Sequence, residues 1–196
     1  IPRPDTEVLV EQALSRLQGV SEPRILDLCA GSGCIGLALA KHLPGSRVVL
    51  GELDEGALRI CRQNIRRNDL TGRVVSLQMN ALEKPPAHLG EFDAIVSNPP
   101  YIPDGDIAGL DVSVRDYEPH LALRGGEDGL DFYRLLTEKY RDAVRPGGWL
   151  VLEIGYAQGP AVLALGTACG WVNGSCRKDY GGNDRAVLLQ KPEKSC

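Results

Sequence analysis

Short apolar segments alternate with amphipathic helical segments along most of this 196-residue sequence. Such alternation is typical of β-α-β units, whose strands form a mostly parallel sheet with helices on both faces. The pattern predicts strands at residues 24–28, 47–52, 73–78, 92–97, 149–154, 171–177 and 186–190. It predicts helices at residues 4–18, 34–42, 55–69, 130–144 and 160–169. We therefore expect a three-layer α/β fold around a seven-stranded, mostly parallel sheet.

The connections refine this expectation. Only a short polar loop at residues 178–185, which contains Gly-Gly-Asn-Asp at 181–184, separates the last two predicted strands, so they should pair as a terminal antiparallel hairpin. Residues 145–148, Arg-Pro-Gly-Gly, predict a turn. About thirty residues rich in Asp, Gly and Pro precede the helix at 130, and loops of that length in compact domains are usually functional.

Composition limits the kind of protein. The hydrophobic residues, 43% of the total, are spread evenly, which fits one domain over residues 1–196. No apolar stretch reaches the ~18–20 residues of a membrane span, and no signal peptide is recognisable, so we expect a soluble, cytoplasmic protein. The net charge of −4 argues against direct nucleic-acid binding. The six cysteines lack zinc-ligand spacing, so we expect no metal site.

A glycine-rich turn follows the first predicted strand. Glycines let the backbone bend tightly and allow a nucleotide-like ligand to approach its N–H groups. Gly31, Gly33 and Gly36 also satisfy the dinucleotide fingerprint, and Glu52 follows Gly31 by 21 residues, where an acid can bind ribose hydroxyls. The turn alone leaves open an NAD-dependent oxidoreductase, an S-adenosylmethionine enzyme, or a turn without any ligand. We call the following residues the glycine turn: Cys29, Ala30, Gly31, Ser32 and Gly33.

Asp27 favours S-adenosylmethionine, because a carboxylate before the turn can help to hold a cationic amino acid, which NAD lacks. The glycine turn resembles the cofactor-binding motif of seven-stranded, Rossmann-like class I methyltransferases. That resemblance implies that Glu52 holds the ribose, and that Asn80 and Ala81, after the third strand, lie beside the adenine. The family often has an acid where this sequence has Asn80, whose amide oxygen accepts a hydrogen bond without charge.

A second motif follows the fourth predicted strand, at the sheet edge where ligands of open α/β sheets bind. We call Asn98, Pro99, Pro100 and Tyr101 the acceptor motif. The two prolines fix the backbone and remove two N–H donors, so the side-chain oxygen of Asn98 and the carbonyl of Pro99 form a rigid pair of acceptors. They can take the N–H groups of a planar amide or amine while Tyr101 packs against its face. The motif resembles the signature of methyltransferases that act on planar nitrogen.

Five segments together resemble the release factor glutamine methyltransferases of the HemK/PrmC type: residues 1–7, 98–102, 117–119, 125–133 and 178–185. The resemblance implies that the chain transfers a methyl group from S-adenosylmethionine to a glutamine amide nitrogen in a peptide chain release factor. Four alternatives stay open: a ribosomal-protein glutamine methyltransferase, which the sequence around Cys29 resembles, an adenine methyltransferase, an NAD-dependent oxidoreductase, and a non-catalytic nucleotide-binding protein.

Members of that family usually carry a small helical N-terminal domain that helps to dock the release factor. Residue 1 aligns with the start of their catalytic domain. We therefore expect this chain to be the catalytic domain alone, with a release factor as its partner and neither a membrane nor a nucleic acid among its direct partners.

Overall fold

The computed structural model describes residues 5–115 and 119–194, which form a three-layer α/β fold. The strands are β1 (Arg24–Leu28), β2 (Arg47–Glu52), β3 (Val74–Gln78), β4 (Phe92–Ser97), β5 (Val144–Glu153), β6 (Val172–Lys178) and β7 (Asp184–Gln190). The helices are α1 (Thr6–Arg16), α2 (Cys34–His42), α3 (Glu55–Arg67), α4 (Val112–Arg115), α5 (Asp131–Lys139) and α6 (Gly159–Ala168). Short 3-10 turns lie between several of these elements.

The seven strands form one sheet in the order β3-β2-β1-β4-β5-β7-β6. Neighbouring strands from β3 to β5 are parallel, whereas β7 runs antiparallel to both β5 and β6. The predicted fold class and the terminal hairpin are therefore confirmed. Because the first five strands point the same way, their carboxyl ends meet at one edge of the sheet, where ligands of this architecture bind.

Helices cover both faces of the sheet. On one face, α1, α2 and α3 contribute side chains such as Leu9, Leu39 and Ile65 to a common core. On the other face, α5 and α6 contribute Tyr133 and Val162. The central strand β4 is buried along its whole length, including its two polar residues Asp93 and Ser97, as expected for a strand that is covered on both faces.

Two predicted boundaries were wrong around β5. The helix predicted over residues 130–144 ends at Lys139, and a 3-10 turn continues to Ala143. The turn predicted at residues 145–148 lies inside β5 instead, where the pairing with β4 passes from Phe92–Val144 directly to Ala94–Trp149. Gly147 adopts a φ of +79°, so the turn-forming residues make a bulge without ending the strand.

Some sequence predictions fall on residues 1–4, 116–118 and 195–196 and therefore lie outside the described residues. They are the helix start at Pro4, most of the family segments at 1–7 and 117–119, and Cys196. None of the helices in the described ranges combines the length and apolar character needed to cross a membrane.

Candidate active site

The carboxyl edge of the sheet gathers most of the predicted site residues. In sheet order, Asn80 follows β3, Glu52 ends β2, the glycine turn follows β1 and Asn98 follows β4. Adjacent strands are about 4.8 Å apart, so this row extends over roughly 14 Å. An extended ligand can lie along the row with one end beside β3 and the other beside β4.

The glycine turn connects β1 directly to α2. Cys29, Gly31 and Gly33 all have positive φ values of 55°, 55° and 80°. A Cβ atom on Gly33 would lie 2.8 Å from Leu50 Cδ1, so this glycine permits close packing on β2. A Cβ atom on Gly31 would meet nothing within 4 Å. The backbone is therefore open at Gly31, where a ligand can approach.

Glu52 joins the end of β2 to the glycine turn. Its Oε2 accepts a hydrogen bond of 2.8 Å from the Gly31 amide, and its Oε1 accepts bonds of 2.7 and 2.9 Å from the amides of Leu53 and Asp54. The side chain is half-buried. A carboxylate oxygen has two acceptor positions, so Oε2 can still accept one hydroxyl from a ligand.

Asp27 lies behind the glycine turn and is fully buried. Its Oδ2 accepts a 2.8 Å hydrogen bond from the Gly36 amide in the first turn of α2, while Oδ1 is buried without a hydrogen-bond partner. Burial raises the pKa of this carboxyl to about 7, the Gly36 bond opposes the increase, and the nearby charge of Glu52 adds to it. Asp27 therefore stabilises the start of α2 after the glycine turn through its bond to Gly36, and it does not line the pocket at the turn.

Asn80 and Ala81 lie at the β3 end of the row. The amide oxygen of Asn80, expected to be available to a ligand, accepts a 3.0 Å bond from the Leu82 amide. Its Nδ2 donates to Glu83 at 3.1 Å. Ala81 is buried. Neither residue lines the pocket between the glycine turn and the acceptor motif.

The acceptor motif faces the glycine turn across a pocket of about 180 Å³. Ser97, just before the motif, donates a 2.8 Å hydrogen bond to the carbonyl of Leu28, just before the turn. This bond fixes the two motifs relative to each other. The pocket includes seven predicted site residues: Cys29, Ala30, Gly31, Ser32, Asn98, Pro99 and Tyr101. Pro100 is buried beneath it, and Gly33 lies outside its lining.

The cysteines near the pocket are neutral thiols. Burial, together with a smaller contribution from the charge of Glu52, raises the pKa of Cys29 to about 12. Burial likewise raises the pKa of Cys61 to about 12, and its thiol donates to the carbonyl of Gly31 at 3.1 Å. All five cysteines in the described ranges are free, and the same ranges contain no group of three or more side chains able to hold a metal ion.

Comparison with known proteins agrees with this geometry. Residues 4–112 match the family model described as "Methyltransferase small domain". The chain is 45% identical over 195 residues to the release factor glutamine methyltransferase of Moorella thermoacetica, and the match covers 99% of this chain and 68% of the relative. This chain belongs to the release factor glutamine methyltransferase family.

Other relatives support the same family. The release factor glutamine methyltransferase of Geobacter sulfurreducens is 45% identical over 189 residues, which is 95% of this chain and 64% of the relative. The chain thus spans about two thirds of the length of these curated relatives. The solved structure of the release factor-specific protein-(glutamine-N5) methyltransferase from Alicyclobacillus acidocaldarius is 30% identical, with a TM-score of 0.59 and 98% and 94% of the two chains covered. The structure of TrmN from Thermus thermophilus is 25% identical, with a TM-score of 0.65 and coverage of 95% and 48%.

Methyltransferases of this family use S-adenosylmethionine, and the site fits that cofactor. Gly31 is open to a ligand, and Glu52 retains an acceptor position beside it. The enclosed volume of about 180 Å³ is smaller than the ~300–1,000 Å³ of typical ligand sites. The pocket between the two motifs can therefore enclose only part of such a cofactor.

Six residues that line the pocket were missed by the sequence interpretation: Thr6, Cys34, Ile35, Ile102, Ala122 and Leu123. Cys34 and Ile35 begin α2 and could have been added from their position after the glycine turn. Ala122 and Leu123 belong to the long loop that was expected to be functional. Thr6 belongs to the family segment at residues 1–7, but no local pattern indicates that it lines the site, because it lies there only through the packing of α1 on β5 and β7.

Proposed function

We propose that this chain transfers a methyl group from S-adenosylmethionine to the side-chain amide nitrogen of a glutamine in a peptide chain release factor. The observation that carries the proposal is a single pocket with the open Gly31 backbone on one side and Asn98 and Pro99 on the other. Family membership supports this kind of substrate, because relatives that are 45% identical are named release factor glutamine methyltransferases.

The cofactor side of the site is formed by the ends of β1 and β2. We assign one ribose hydroxyl to Oε2 of Glu52, since hydrogen bonds to a charged acceptor are the strong ones, and the amino acid portion to the glycine turn. Asp27 acts indirectly, by holding the Gly36 amide and so the start of α2. The bound cofactor supplies an electrophilic methyl group on a sulfonium sulfur.

The substrate side is formed by the acceptor motif. Asn98 Oδ1 and the carbonyl of Pro99 accept the two N–H groups of the glutamine amide, and Tyr101 packs against its plane. An amide nitrogen is a weak nucleophile because its lone pair is delocalised, so holding it in line with the methyl group is the main contribution available to the protein. Pro99 and Pro100 make the acceptors rigid, which keeps this alignment.

The proposed reaction does not require a strong general base in the site to remove the amide proton. The amide proton becomes acidic once its nitrogen has been alkylated, so a strong base is not required beforehand. Cys29, the thiol within the glycine turn, has a pKa of about 12 and stays protonated at neutral pH. The proposed catalysis therefore depends on orientation and on hydrogen-bond acceptors.

The test is mass spectrometry of purified release factor after incubation with this chain and isotope-labelled S-adenosylmethionine. We expect one glutamine to gain one labelled methyl group. A release factor in which that glutamine is replaced by alanine should gain none, and the Asn98→Ala chain should act far more slowly on the natural factor. Label on a ribosomal protein or on adenine in an oligonucleotide, with none on the release factor, would refute the proposed substrate. Absence of label on all three would refute the proposed activity.

A further inference from the structure

Gln158 links three separate segments around the acceptor motif. It is the residue just before α6, and its side chain is half-buried. Its Nε2 donates to the carbonyl of Tyr101 at 2.9 Å and to the carbonyl of Gly129 at 3.1 Å, and its Oε1 accepts from the Gly155 amide at 2.9 Å. The side-chain amide of Gln158 thus uses both of its N–H groups and its oxygen. Two of its partners are carbonyls and one is an N–H, which fixes the positions of its nitrogen and its oxygen.

The surrounding backbone is shaped to allow this arrangement. A Cβ atom on Gly129, whose φ is +76°, would lie 2.4 Å from the Tyr101 carbonyl oxygen and 2.8 Å from Gln158 Nε2. A Cβ atom on Gly125 would lie 2.8 Å from Tyr101 Cα. Only glycine at these two positions lets the loop come close enough for Gln158 to bond both carbonyls at once.

The segment after Tyr101 is held in the same place. The amide of Ile102 donates to the carbonyl of Leu123 at 3.0 Å, and the amide of Gly125 donates to the carbonyl of Ile102 at 2.8 Å. Residues 101 and 102 are therefore fixed from two sides, by Gln158 and by residues 123–125. On its other side the acceptor motif continues from β4, which is paired with β1 and β5.

We infer that Gln158 is a positioning residue: by holding the Tyr101 carbonyl it sets where Asn98 and Pro99 present their oxygens to the glutamine amide. The inference rests on the proposed function, in which those two oxygens orient the substrate. Because Pro99 and Pro100 make the motif stiff, a displacement at Tyr101 is transmitted to Asn98 instead of being absorbed between them. A displacement of about 1 Å in such a site can lower the rate by on the order of a hundredfold.

The test compares Gln158→Glu and Gln158→Met with the parent chain. The glutamate variant keeps the acceptor for Gly155 but places an oxygen against two carbonyls, and the methionine variant removes all three bonds. The matched control is Gln190→Glu, because Gln190 also donates to a backbone carbonyl, that of Gly147 at 3.0 Å, but at the opposite edge of the sheet.

Three readouts are measured for each chain: the affinity for S-adenosylhomocysteine, amide hydrogen exchange, and kcat and KM with release factor. We expect cofactor affinity within about twofold of the parent and exchange at Ile102 and Gly125 faster by on the order of tenfold, with thermal stability matching the Gln190→Glu control. We expect kcat to fall by on the order of a hundredfold with little change in KM. The deficit of the glutamate variant should shrink as the pH falls, because a protonated carboxyl can again donate to a carbonyl, whereas the deficit of the methionine variant should not.

A kcat within threefold of the parent, or unchanged exchange at Ile102 and Gly125, would overturn the positioning role. An equal loss of kcat in the Gln190→Glu control would also overturn it, since the effect would then be general. If the parent chain itself methylates no glutamine, the proposed function fails, and the exchange measurement alone decides whether Gln158 holds the acceptor motif.

Discussion

Replacement of Asp27 by asparagine should change how the stability of the protein depends on pH. The carboxyl is fully buried, and burial raises its pKa from the ordinary 3.8 to about 7. The folded state thus disfavours the ionised carboxyl. The contribution to the free energy of unfolding that comes from keeping Asp27 protonated is complete below pH 3.8 and is lost as the pH rises to about 7. At 1.36 kcal/mol per pH unit, the loss reaches roughly 4 kcal/mol, of which about 3 kcal/mol falls between pH 5 and pH 8.

Asparagine cannot ionise, and its side-chain oxygen can still accept the bond from Gly36. The free energy of unfolding of Asp27→Asn minus that of the parent should therefore rise by about 3 kcal/mol between pH 5 and pH 8. The test is the change of this difference with pH. Burying the additional N–H group of asparagine without a partner costs about 1–3 kcal/mol, but this cost is the same at every pH and does not affect the slope. Equilibrium urea unfolding of both chains at several pH values measures it.

The matched control for this experiment is Asp93→Asn. Asp93 is also buried, at the opposite edge of the sheet, but it pairs with Arg145 and accepts a 2.8 Å bond from the Arg24 amide. Removing its charge should destabilise the protein at pH 8, in contrast to Asp27→Asn. If the free energies of unfolding of the parent and of Asp27→Asn changed in parallel with pH, the argument that burial without a countercharge raises the pKa of Asp27 would be refuted.

Three further changes test the site. Glu52→Ala should weaken S-adenosylhomocysteine binding by roughly 1.5–3 kcal/mol in calorimetry, because a charged acceptor is lost; unchanged affinity would contradict its assignment to the ribose. Asn98→Ala should leave that affinity within about twofold but lower kcat by on the order of a hundredfold to a thousandfold, and a parental rate of glutamine methylation would show that Asn98 does not orient the amide. Gly129→Ala should lower the free energy of unfolding by about 1–3 kcal/mol, since its φ is +76° and the new Cβ would lie 2.4 Å from the Tyr101 carbonyl oxygen. Gly72→Ala, whose Cβ would meet nothing within 4 Å, is the control and should be close to neutral.

The fold could be predicted from the sequence where one local signal determined the element. β1, β2 and β4 have the predicted bounds, because each is a mainly apolar run between polar turns. The helix was predicted to reach residue 144 because Tyr140 and Ala143 continue the apolar pattern of the buried face. In the structure Tyr140 precedes, and Ala143 ends, a 3-10 turn. Apolar periodicity shows which side chains face the core but does not distinguish these two backbone forms.

The site residues could be predicted where they belong to short motifs, but not where they depend on contacts between distant segments. The glycine turn and Asn98 belong to short motifs that directly follow strands, so their place at the sheet edge follows from the sequence. Thr6 and Leu123 depend on contacts between distant parts of the chain, namely the packing of α1 on β7 and the pairing of Leu123 with Ile102. No local pattern encodes such contacts.

The packing of α1 against β7 also sets the order in which the protein can complete its fold during synthesis. Tyr180, beside β7, donates to Glu11 of α1 across 169 residues of sequence. At roughly 5–20 residues per second, the ribosome needs about 10 to 30 s to make that stretch. Throughout this interval the apolar face of α1, which carries Leu9 and Ala13, can pack on α2 and β5 as they are made but lacks its contacts with β7. The core around α1 is therefore completed only when the final hairpin has been made.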